Sequence, residues 1–140
     1  MNDLVKESYI LIYWFVGIIS IIMGVKLLTA KKFLPFHEQA SGTTWESIDA
    51  RVRLVISALM KVAGLGFLVN SALMIMFPWV AVGPNGIFFK YAIPSVGFLY
   101  CLGLFVVTFD LYRKTRAQTP WKKSLVAMVL ILIGMFLSSL

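Results

Sequence analysis

Hydrophobic residues run along this chain in four charge-free stretches, at 9–25, 62–77, 91–109 and 124–140. A bilayer core takes roughly 20 mostly apolar residues per helical span. The pattern therefore predicts transmembrane helices at about 9–28, 57–77, 91–109 and 120–140. The second stretch is short alone and needs its helix to begin at Lys61 or before. The spans take up more than half of the 140 residues, which leaves no soluble domain of useful size. The predicted fold is all-α: one four-helix transmembrane bundle over residues 1–140.

Small residues recur at helical spacing inside the spans. Gly17, Ser20 and Gly24 fall at i, i+3 and i+7, and Ala63, Gly66 and Asn70 repeat that spacing. Pro94, Gly97 and Cys101 do the same, with a similar seam at Ala127, Gly134 and Ser138. Small side chains let membrane helices approach closely, and packing holds such helices together. Asn70 is the one strongly polar side chain deep in a span. Its expected role is an interhelical hydrogen bond worth about 0.6 kcal/mol, with a ligand contact as the alternative.

Between the spans the signals are local. Tyr9, Tyr13 and Trp14 suit a membrane interface. Residues 31–42 read as a loop, with Pro35 breaking any helix and Ser41-Gly42 marking a turn. Thr43 reads as an N-cap, with Glu46 completing a capping box. From Thr44 an apolar face runs through Trp45, Ile48, Val52, Val55 and Leu59, with Asp49 and Arg53 at the supportive i, i+4 spacing. Continued to Phe77, this helix measures roughly 50 Å at 1.5 Å per residue, so it projects beyond the bilayer core. Pro78-Trp79 and Gly83-Pro84-Asn85-Gly86 are stop and turn signals. The third helix is expected from near Tyr91, with Pro94 in its first turn. Thr119-Pro120 reads as N-cap and first position of the fourth.

Charge adds a direction. Of the 13 basic residues, 11 flank the first and third loops: Lys26, Lys31, Lys32, Arg51, Arg53, Lys61, Arg113, Lys114, Arg116, Lys122 and Lys123. Only Lys6, offset by Asp3 and Glu7, and Lys90 lie on the other side. Cytoplasmic loops carry the excess of Lys and Arg, so both termini are expected outside, with the long second helix projecting into the cytoplasm. The net charge of +7 then reflects loops that meet anionic headgroups, and no nucleic-acid partner is expected. The first span is read as a retained helix, because its leader lacks net positive charge and Leu28-Thr29-Ala30 is a poor cleavage site.

Catalytic signatures are missing: there is no HExxH, CxxC, Gly-rich phosphate loop or serine elbow. Cys101 is alone and set among apolar residues, which argues against a reactive thiolate. No carboxylate lies centrally in a span, which counts against proton-coupled transport. No catalytic residue, metal ligand set or cofactor is expected. The candidate site is the first loop, where Lys31, Lys32, Phe36, His37, Trp45 and Arg53 mix cations with aromatics as a lipid-headgroup contact would. A plain interfacial anchor explains the same residues. His37 beside Glu38, or with Asp49, is the acid–base alternative. Asp110 is expected to pair locally with Arg113 or Lys114, or across helices with Arg53 or Lys61.

The run Phe33-Leu34-Pro35-Phe36-His37, then Gly42, Trp45, Arg53 and residues 59–68 with Gly64 and Gly66, resembles a small uncharacterised family of bacterial four-helix integral membrane proteins. That family has a Pro-aromatic-His signature after its first helix and a Gly-x-x-Trp step before its second. The resemblance covers about a third of the chain. It implies a bacterial inner membrane and carries no activity. The expected function is non-catalytic: an accessory or structural subunit, or a protein acting through lipid and protein contacts. Anionic lipids and a membrane-protein partner or second copy are the expected partners. A binder or carrier of lipid-like molecules is the first alternative, and a membrane enzyme using His37 the second. A cavity beside the loop favours the binder, and a carboxylate converging on His37 favours the enzyme.

Overall fold

The computed structural model describes residues 3–81 and 86–139, with side chains from Ser8 onward. It contains helix α1 (Asp3–Thr29), a short α2 (Pro35–Ser41), a 3₁₀ turn (Trp45–Ser47), α3 (Ala50–Val80), α4 (Gly86–Thr115) and α5 (Trp121–Ser139). The Gly83-Pro84-Asn85 turn signal and the charged side chains of the N-terminal tail lie outside the described residues.

The fold is all-α, and α1, α3, α4 and α5 are long and apolar enough to cross a membrane. Helices suit that setting because they satisfy every backbone polar group within the segment. Large apolar side chains face outward along all four, among them Ile18, Val62, Val69, Leu99, Val107 and Leu132. A water-exposed protein rarely shows such continuous apolar surface. The chain is a multi-pass membrane protein.

Each long helix packs on two others, in the order α1–α3–α4–α5 and back to α1. The buried centre lies towards the end where α1 begins and α5 ends. There Tyr13, Val16, Met74, Phe77 and Ile131 are almost fully enclosed. Tyr13 meets Phe77 edge to face at 4.7 Å between ring centres. Tyr9 and Tyr13 are therefore core residues rather than lipid-facing anchors, because ring-on-ring contact buries them. Trp14 stays exposed; its indole donates to the Ile75 carbonyl at 3.3 Å, and its ring stacks on Trp79.

α1 and α3 approach backbone to backbone at Gly24 and Gly64. A Cβ on Gly24 would stand 3.0 Å from the Gly64 carbonyl oxygen, and one on Gly64 would stand 3.0 Å from the Gly24 oxygen. Gly17 faces Ile75 and Met74 in the same interface, and Ser20 accepts a 3.2 Å hydrogen bond from the Asn70 amide. Within the expected α3 seam Gly66 packs closely on the Tyr100 ring of α4, Asn70 meets α1, and Ala63 is exposed; Gly64, outside that seam, also meets α1. Residues adjacent on a helix point about 100° apart, so spacing alone left two registers open.

The helix ends also depart from expectation. Pro35 starts α2 instead of breaking a helix, since a first-turn proline lacks only an N–H that has no partner anyway. Gly42 closes α2 in the left-handed region at φ 65°. Thr44 opens only the 3₁₀ turn, and Ile48 is extended. α3 begins at Ala50, capped by Asp49, whose carboxylate accepts from the Arg51 N–H at 2.8 Å. The expected Asp49–Arg53 pair does not form: among the described residues the ion pair present is Lys114–Asp110. α4 starts at Gly86, so Pro94 sits buried inside the helix, where membrane helices tolerate proline when neighbours cover the freed carbonyl. Thr119 does not cap α5; its hydroxyl donates to the Thr108 carbonyl at 2.8 Å and folds the chain back along α4. Asp110 takes the local option, a 2.6 Å ion pair with Lys114.

Candidate functional site at the basic end

The backbone N–H of Gln118 donates to the Gln39 side chain at 3.2 Å, which ties the first connection to the third. The two basic connections thus share one end of the bundle. α1 and α3 run antiparallel through Tyr13–Phe77 and Ser20–Asn70, and α1 and α5 through Tyr13–Gly134. Carried onward, these registers place Lys26 within about one helical turn of the level of Lys61 and Trp121. α3 has 31 residues and measures about 46 Å; α5 has 19 and measures about 28 Å, close to the bilayer core. The first turns of α3 therefore stand beyond the end of α1, and at that end α2 packs against α4.

α2 is held by its own cap. The His37 N–H donates to the Leu34 carbonyl at 2.8 Å, and the Leu34 N–H donates back to His37 Nδ1 at 3.4 Å. Phe33 meets Trp45 at 5.0 Å and His37 at 5.6 Å, while Phe36 lies 4.0 Å from the imidazole. Phe33, Phe36, His37 and Trp45 thus form one cluster. Half-burial holds the His37 pKa below its ordinary value, because the charged imidazolium loses hydration there. The neutral ring is the form whose Nδ1 accepts the Leu34 bond. No hydrogen bond or ion pair joins His37 to Glu38 or Asp49, and Asp49 is engaged as the α3 cap.

Two recesses flank α2. The first, about 440 Å³, is apolar and lies between α2 and α3, with Phe33, His37, Ile56, Leu59, Met60 and Ala63 in its wall. Leu59 and Ala63 are exposed, so this recess opens on the outer surface of the helices. The second, about 740 Å³, lies between α1, α2 and the start of α5. It gathers Lys26, Lys122 and Lys123 with Phe36, Tyr112 and Trp121.

Of the loop residues singled out from the sequence, Phe36 and His37 line these recesses. Trp45 buttresses Phe33. Lys31 and Lys32 are exposed, Arg53 is half-exposed, and none of the three lines either recess. Lys26, Lys122 and Lys123 were visible only as flanking charge; their convergence follows from α1 packing on α5, which no local spacing reveals. Asn70 is buried and bonded to Ser20 through its amide nitrogen, while its Oδ1 has no hydrogen-bond partner among the described residues. Comparison of the chain with known protein families, with curated proteins and with solved structures found no match.

Proposed function

We propose that this is a small protein of the bacterial inner membrane that binds or carries lipid-like molecules at its basic end and works without catalysis. In this reading the first and third connections face the cytoplasm, and both termini lie outside. The observation that carries it is the apolar recess of about 440 Å³ beside α2. Ligand pockets of about 300–1,000 Å³ are typical of small molecules, and this one opens where acyl chains would surround the helices. His37 adds a polar group at its edge, placed by its bonds to Leu34 and not by an acid. A role as an accessory subunit is the second reading, supported by the exposed apolar faces of α3 and α4.

The test is mass spectrometry of lipids that co-purify with the full chain in mild detergent. Ala63→Trp, at an exposed position on the recess wall, should lower the amount retained several-fold and leave the helical fold intact. Equal retention by the wild type and this variant would remove the recess as a binding site.

A further inference from the structure

The second recess carries more charge than the bundle neutralises. Lys26 comes from the last turn of α1, and Lys122 and Lys123 come from the first turn of α5. No carboxylate lines the recess, and the ion pair found among the described residues, Lys114–Asp110, lies elsewhere. The Lys122 ammonium stands 5.6 Å over the Trp121 ring, a contact that orients the cation and leaves its charge in place. Trp121 is braced by Phe105, Phe109 and Tyr112, with ring centres 6.3, 5.4 and 5.7 Å away. Trp and Tyr favour the depth of lipid headgroups, and the lysine stems can lie along such rings with their ammonium groups in the polar layer. Two lysines at a helix start also oppose the helix dipole, an arrangement that an added anion would relieve.

We propose that this recess binds the phosphate of an anionic phospholipid, held by Lys26, Lys122 and Lys123 against Trp121 and Tyr112. The inference rests on the reading that the basic end meets lipid headgroups. It moves the headgroup site away from Lys31, Lys32 and Arg53. About 740 Å³ accommodates a phosphate with its glycerol linkage, while the acyl chains stay in the bilayer beside α1 and α5. Lysine suits this task as a flexible point charge that follows a mobile headgroup. Free phosphate has the same chemistry and is separated from lipid by the test.

The experiment is native mass spectrometry and lipid titration of the full chain, using phosphatidylglycerol, phosphatidylcholine and inorganic phosphate as probes. Two triple variants each remove three cations: Lys26→Gln/Lys122→Gln/Lys123→Gln, and Lys31→Gln/Lys32→Gln/Arg53→Gln. At about 1 kcal/mol per basic residue near a headgroup, the first should weaken phosphatidylglycerol binding about a hundredfold. The second should change it less than about threefold if charge acts only at the recess. Lys26→Arg/Lys122→Arg/Lys123→Arg should retain binding, which separates lost charge from a misfolded end. Equal losses in the two glutamine triples would overturn the recess and leave the lipid reading standing. Binding of phosphatidylglycerol no better than phosphatidylcholine by the wild type would sink both the recess and the headgroup contact. Displacement of the lipid by inorganic phosphate at millimolar concentration would overturn lipid as the source of the phosphate.

Discussion

Gly24 and Gly64 show how a single hydrogen atom in place of a side chain sets the bundle. A methyl group on Gly24 would meet Leu68 at 2.9 Å and the Gly64 carbonyl at 3.0 Å, and the second of these is backbone that cannot swing aside. Gly24→Ala should therefore force α1 from α3 and lower stability by about 1–3 kcal/mol, the usual cost of overpacking. A methyl group on Gly103 would meet no atom within 4 Å, so Gly103→Ala should be neutral or stabilise by up to about 1 kcal/mol through helix propensity. Thermal unfolding in detergent compares the two, and equal effects would mean that the α1–α3 contact is looser than described. His37 sets a different balance. Because burial lowers its pKa below the ordinary 6.5, the folded end binds fewer protons than the unfolded one. Its contribution is full above that pH and is lost as pH falls from there towards the folded pKa. Protonation at Nδ1 also removes the acceptor for the Leu34 N–H. Amide exchange of α2, corrected for its intrinsic rate, should accelerate below about pH 6.5, and His37→Gln should abolish that dependence. A wild-type profile flat from about pH 7.5 to about pH 5 would rule out this coupling.

At the scale of elements, the membrane helices were legible because a charge-free run of this length has few alternatives. Four runs yielded four long helices. Their ends were less legible, because several residues compete to start a helix and tertiary contacts choose among them. Thr43 with Glu46 has a capping-box sequence, but Asp49 supplies the cap, and Ile48 breaks the chain between them. Asp49→Ala should therefore destabilise the first turns of α3 by about 1 kcal/mol, whereas Thr43→Ala should not. Hydrogen exchange at Arg51 reads the difference, and protection unchanged by Asp49→Ala would exclude the capping role. The candidate site was half legible for the same reason. Phe36 and His37 stood out through a local motif. Lys26 and Lys122 belong to different helices and line one recess because α1 packs on α5, a tertiary contact that no local spacing reveals.

For the whole molecule, the decisive asymmetry is that 11 of 13 basic residues lie in or flank the two connections that Gln39 and Gln118 join at one end. Only one of those cations has an acid partner among the described residues, so moving that end across a bilayer would carry nearly all of its charge unpaired. Retention of Lys- and Arg-rich loops on the cytoplasmic side is the general outcome. The bundle should accordingly insert in one orientation, with the connection between α3 and α4 outside. Single cysteines tested in a Cys101→Ala background check this directly. Asn85→Cys should react with a membrane-impermeant maleimide added to intact cells, and Gln118→Cys should react only after the cells are opened. Gln118 suits the test because it is exposed and its bond to Gln39 uses the backbone N–H, which the substitution keeps. External labelling of Gln118→Cys would reverse the orientation, and labelling of both positions from outside would reveal two orientations in one membrane. In either case the recess at the basic end would face the outer leaflet in some or all molecules, and the cytoplasmic lipid reading would have to be abandoned.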